Sequence, residues 1–70
     1  MRVSKNALDL ALASKQMTID DLIIASRCSS ATVCKAKRGE NVLPRTVGKI
    51  ANALEIPVEN LIEQEVKQHG

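Results

Sequence analysis

Apolar residues recur along this chain at helical spacing, and no stretch alternates as a strand would. Ser4 can cap a first helix in which Leu8, Ala11 and Leu12 line one face at i, i+3, i+4. That helix fades at Lys15-Gln16, and Met17 enters the next as a hydrophobic staple. Thr18 is a good N-cap, with Asp21 placed to answer it as a weaker form of the capping box. Leu22, Ile23 and Ser26 follow at helical spacing, and the chain turns through Arg27-Cys28. Ser29 caps a third helix, predicted over 29–38, with cations at its C-terminal dipole and Gly39 just beyond. After a loop from Gly39 to Leu43, Pro44 suits the first turn of a fourth helix, where its missing N–H costs nothing. Val47, Ile50, Ala51 and Leu54 then give the cleanest amphipathic pattern in the chain. Pro57 breaks that helix and starts a fifth, with Val58, Leu61 and Ile62 apolar and glutamates outside. The pattern predicts an all-α, compact five-helix bundle: one domain over 1–70, a helix–turn–helix at about 18–39, and a frayed tail at 66–70.

Size and composition narrow the function. A chain of 70 residues buries only about 60% of its unfolded surface, so its core is small. With no aromatic residue, Leu, Ile, Val and Ala must build that core alone, and the stacking platforms of single-strand binders are missing. No apolar run approaches the roughly 20 residues that span a bilayer, and Asp9 interrupts any signal-like stretch near Met1, so no membrane partner and a cytoplasmic address are expected. A Cys28–Cys34 disulfide is disfavoured if one thiol lies in the turn and the other on the helix that follows it. His69 is the single histidine and lies in the tail, so no metal site, no cofactor and no small-molecule ligand are expected. Nor does any nucleophile stand beside a base, and an enzyme is not expected.

Charge is segregated. The whole chain carries a formal +2. Arg27, Lys35, Lys37, Arg38, Arg45 and Lys49 face only Glu40 between residues 27 and 49, a local +5. From Ile50 onward Glu55, Glu59, Glu63 and Glu65 face only Lys67, giving −3. A polyanion-facing middle with an acidic side turned away fits that split.

At about 100° per residue, Ala31, Cys34, Lys35 and Arg38 share one arc of the third helix, opposite Val33 and Ala36. Ser30 flanks that outward face near the helix N-terminus. Two helices joined by a short turn are the device that pushes a second helix into a major groove, its N-terminal part toward base edges. Ser30, Ala31, Cys34 and Lys35 are therefore the candidate base readers: serine discriminates little, alanine can pack on a thymine methyl, and lysine can reach guanine. Lys37 and Arg38 lie at the far end, where phosphate contact is natural. The amino ends of the second and fourth helices suit phosphate oxygens as well. Arg45 in a first helical turn is odd by the dipole argument unless an anion binds there. Thr18, Ser29, Thr32 and Asn41 complete the candidate phosphate contacts.

With these residues placed, the chain resembles the Cro/CI-type helix-turn-helix family of phage and bacterial transcriptional regulators. The resemblance covers roughly Leu8 to Ile62. It rests on Met17-Thr18, Asp20-Asp21-Leu22, Ser29-Ser30-Ala31-Thr32-Val33, Arg38-Gly39, the run Val47 to Leu54, Ile56 and Glu59-Asn60-Leu61-Ile62. It implies a lambda-repressor-like DNA-binding domain, a small bacterial or phage-encoded repressor acting as a homodimer on double-stranded DNA, with base-reading positions at Ser30, Ala31, Cys34 and Lys35. Six positions depart from the family pattern. Ile19 stands where many members carry a phosphate-bridging glutamine, and Arg27 replaces the usual turn glycine, so either arginine takes a strained backbone or the turn differs. Ile23 and Ala36 exchange the usual small and large residues, conserving volume if the two sites touch. Leu12 and Lys37 replace a family ion pair, the lysine stem being long enough to cover the leucine. Two dimer surfaces are open: the outer side of the fifth helix with Val66, or a second stripe on the first helix formed by Val3, Ala7 and Leu10. A rival reading is a protein-interaction module of antirepressor or antitoxin type, favoured by the weak base readers and opposed by the local +5.

Overall fold

In a computed structural model, which describes residues 1–63, the chain forms five helices and, among those residues, no strand. They are α1 (Lys5–Lys15), α2 (Ile19–Ser26), α3 (Ser30–Lys37), α4 (Pro44–Leu54) and α5 (Val58–Leu61). The start signals act as expected. The Ser4 hydroxyl accepts the Ala7 N–H at 3.2 Å. At α2 the capping box is complete: Asp21 N–H donates to Thr18 Oγ1 at 3.1 Å, and Thr18 N–H donates to Asp21 Oδ2 at 3.0 Å. Ser29 Oγ accepts the Thr32 N–H at 3.1 Å, and Pro44 occupies the first turn of α4.

Helix α4 is the hub and packs against α1, α2 and α5. Its stripe of Val47, Ile50, Ala51 and Leu54 is buried, and it meets Leu8, Ala11 and Leu12 of α1, Leu22 of α2, Val33 and Ala36 of α3 and Leu61 of α5 in one core. The predicted inward residues of α1, α3 and α4 are thus the buried ones, while α2 buries Leu22 and Ser26 with Ile23 partly so, and α5 buries Leu61 with Val58 partly so. Helix α5 is shorter than its apolar pattern suggests: Ile62 is already extended, and Glu63 lies outside the helix.

The N-terminal segment departs from expectation. Val3 is not on α1 but in an extended segment, fully buried, so it belongs to the core and cannot join Ala7 and Leu10 in a surface stripe. Met1 to Ser4 run antiparallel between two other segments. On one side Met1 and Val42 exchange bonds, the terminal ammonium to the Val42 carbonyl at 2.9 Å and the Val42 N–H to the Met1 carbonyl at 2.8 Å. On the other, Ser4 N–H donates to Leu61 O at 2.8 Å and Glu63 N–H to Arg2 O at 2.9 Å. Bridges at Arg2–Asn41 and Val3–Ile62 result, and they tie the loop after α3 and the end of α5 to the chain's start. The other predicted dimer surface is the outer side of α5 with Val66, and of it Val66, like the predicted frayed tail, lies outside the described residues.

Four helices end in the left-handed backbone region, but glycine serves only one of them. Gly39 (φ 81°) closes α3, whereas Gln16 (55°), Arg27 (61°) and Glu55 (60°) close α1, α2 and α4. The following residues explain how non-glycine caps persist. Met17 N–H reaches back to Leu12 O at 2.9 Å and Ile56 N–H to Ala51 O at 3.1 Å, the long bond of a Schellman motif. Met17, Cys28 and Ile56, each just after a cap, are partly buried against the core. Apolar burial of the next side chain therefore holds each cap in its strained conformation. At Arg27 this settles the alternative left by the missing glycine: the arginine takes the strained backbone.

Candidate nucleic-acid interface

Helices α2 and α3 pack on each other across the turn Arg27–Ser29. Ser26 makes that turn rigid. It is only 4% exposed, and its hydroxyl donates to Ile23 O at 3.5 Å and accepts the Cys28 N–H at 3.3 Å. Helix α3 is anchored by two side chains, Val33 and Ala36, both fully buried. Thr32 and Cys34 are half-buried, and the other four residues of the helix are exposed.

Ser30, Ala31 and Lys35 are exposed, and Cys34 is half-buried with a free thiol. These four base-reading candidates therefore share the side of α3 away from the core, with Lys35 the long, charged member. Lys37 and Arg38 are exposed at the last residue and C-cap of the helix. Their charges also complement the negative end of the α3 dipole.

The polar candidates differ in what they have left to offer. Ser29 is committed twice, accepting from Thr32 N–H and donating to Thr32 Oγ1 at 2.9 Å. Because Thr32 accepts that bond, its own hydroxyl hydrogen remains available. At α2, the Thr18 and Asp21 N–H groups are already answered within the capping box, and Asp20 and Asp21 put two carboxylates into the first turn. An anion is less welcome there than the sequence suggested. At α4 the reverse holds: no side chain caps Leu43, the first turn contains no acid, and Arg45 brings an exposed guanidinium to the positive end of the dipole. Asn41 is exposed beside Arg2 in the bridged segment.

Glu40 carries a role that the charge count hid. Its carboxylate accepts from Arg38 Nε at 2.7 Å, both side chains being exposed. That hydrogen bond, with the attraction between the two charges, raises the arginine's affinity for its proton and holds the Glu40 carboxyl below the usual range. Arg38 must leave Glu40, or share it, to meet a phosphate. The signal was present in the sequence: a lone acid in a basic stretch, brought back toward the helix end by the turn at Gly39. Among the described residues Arg27, Lys35, Lys37, Arg45 and Lys49 form no ion pair, whereas Arg2 and Lys15 are paired with Glu63 at 3.6 Å and Glu55 at 2.9 Å.

Comparison with protein-family models, with curated proteins and with solved structures finds no match to this chain. Function must come from the residues themselves. Those described contain no group of acids, cysteines and histidine that could hold a metal ion, and no helix long and apolar enough to cross a membrane.

Proposed function

We propose that this protein is a sequence-specific regulator of transcription that binds double-stranded DNA in the manner of a small Cro-like repressor, laying α3 in the major groove. The observation that carries the reading is the outward face of α3: Lys35 and Lys37 are exposed and unpaired among the described residues, on a helix anchored by only Val33 and Ala36. Ser30, Ala31, Cys34 and Lys35 meet base edges. Thr32, Lys37, Arg38, Asn41 and Arg45 meet the phosphates on either side, with Ser29 orienting Thr32 and Thr18 at a helix end already rich in carboxylates.

Two subunits are needed. One α3, about 12 Å long at 1.5 Å per residue, reads only a few base pairs. Each correct pair is worth about 1–3 kcal/mol, too little for useful selection from a single half-site read by serine, alanine and one lysine. A symmetric dimer doubles the site without further sequence. Such a dimer neutralises about 6–10 phosphates, so its affinity falls steeply with salt.

Selection of bound fragments from a random duplex pool at physiological salt tests this. An enriched inverted repeat with half-site centres about one helical turn apart is the expected result. A pool that stays random contradicts the reading and points to a helix-turn-helix that acts by gripping another protein, for which the short side chains of Ser30 and Ala31 are no handicap.

A further inference from the structure

A second basic feature lies apart from the outward face of α3. A cleft of about 510 Å³ opens between the end of α2 and the side of α4, lined by Ala25, Ser26, Arg27, Lys49 and Asn52. We propose that this cleft is a phosphate-binding site, with Arg27 and Lys49 as its charged ligands and the Asn52 side-chain amide as a neutral donor.

Three observations converge on it. First, both charged linings are cations, no acid lines the cleft, and neither cation has an ion-pair partner among the described residues. Two like charges facing one hollow repel, and an anion seated between them removes that repulsion. The C-terminal dipole of α2 accounts for one cation, Arg27 at the cap, but not for Lys49 in the middle of α4. Second, Arg27 holds φ 61°, a conformation in which glycine would be unstrained. The arginine thus lines the cleft at a conformational cost that glycine would avoid. Third, the donor set is matched to oxyanions: a planar guanidinium, an ammonium and an amide supply N–H groups. The buried Ser26 is a positioning residue. Its hydroxyl donates to Ile23 O in α2 and accepts the Cys28 N–H in the turn, so it ties together the backbone on either side of Arg27 and has its hydrogen already committed.

The cleft falls within the size range of small-molecule sites, but Ala25 is its only apolar lining, so charge must dominate recognition. Two sources present this chemistry, a free small molecule and a nucleic-acid backbone, and the first does not depend on the DNA-binding proposal above.

Two measurements on the full chain separate these sources. In the first, the ¹⁵N-labelled protein is titrated with pyrophosphate at constant ionic strength. A free-ligand site gives saturable shifts confined to Ala25–Arg27, Lys49 and the Asn52 side-chain amide. Those shifts vanish in the Arg27→Gly/Lys49→Gln variant, whose fold is checked by circular dichroism and which loses the strained arginine. In the second, duplex binding by wild type and by that variant is followed across salt. A backbone-phosphate site lowers the salt slope by about 1.8 in the variant, at about 0.9 for the one phosphate lost from each subunit of the dimer. If wild type binds no duplex, the DNA reading fails and the pyrophosphate titration alone decides. Non-saturating shifts spread over all basic residues, or saturation that survives in the variant, together with an unchanged slope where DNA is bound, overturn the site.

Discussion

Helices α3 and α4 are built from the same kinds of residue to opposite ends. Helix α4 buries four side chains, Val47, Ile50, Ala51 and Leu54, and packs most extensively against α1, α2 and α5. Helix α3 buries two, Val33 and Ala36, and leaves Ser30, Ala31, Lys35 and Lys37 exposed. One helix is used up in making the domain. The other is held just firmly enough to be presented. The contrast separates stability, which should respond to changes on α4, from binding, which should respond to changes on α3.

The largest effect should come from the hub. Ile50 is fully buried at the centre of α4, and Ile50→Ala should cost about 2–5 kcal/mol, enough to unfold much of so small a domain. Denaturant unfolding checks this, and a loss as small as that of a surface change would remove α4 from its central role. Next is the inner face of α3. Ala36 has no exposure and Ile23 is partly buried against the same core. Ala36→Leu alone should overpack by about 1–3 kcal/mol, Ile23→Ala alone should leave a cavity, and the double variant should recover part of both losses. Strict additivity in that cycle would mean the two sites do not touch.

A smaller effect of opposite sign is expected in the turn between α2 and α3. Arg27→Gly should raise stability by about 1 kcal/mol, because glycine adopts φ 61° without strain. A rise in thermal midpoint is the readout, and a fall would mean that the arginine side chain contributes more than its backbone loses. The smallest effect concerns Glu40. Glu40→Gln releases Arg38 from its 2.7 Å partner and should tighten duplex binding by about two- to threefold at low salt, an advantage that fades as salt rises. The pH dependence has a definite sign. The folded-state pKa of Glu40 is depressed by the Arg38 hydrogen bond and charge. The pair's small stabilisation is thus present above the usual carboxylate range and lost as pH falls through the depressed value, where protonation frees Arg38.

Most of the fold was legible because the punctuation is local. Ser4, Thr18, Ser29 and Pro44 each mark a helix start through groups within three residues, and the apolar spacing of α4 specifies its buried face directly. Pairings distant along the chain were not legible. Val3 looks like one more apolar residue before a helix until Ile62 is brought beside it by the Ser4 N–H to Leu61 O and Glu63 N–H to Arg2 O bonds. Gln16 and Glu55 carry no sign of left-handed caps, because what stabilises them is the packing of the partly buried Met17 and Ile56 against the core. On the candidate site, periodicity separated the inner from the outer face of α3. It did not reveal that Arg38 is held by Glu40, that α2 begins with its N–H groups answered by its own acids, or that Arg27 and Lys49 line one cleft.

The most direct measurement is duplex binding by the Lys35→Glu/Arg38→Glu variant. Both side chains are exposed at the outer side and end of α3, so the helical spectrum and unfolding midpoint should stay close to those of wild type. Duplex binding should be abolished in a gel-shift assay, since two phosphate- or base-facing cations become anions on the presented helix. A folded variant that shifts DNA as well as wild type does would contradict the account, and α3 would not be the surface through which this protein acts.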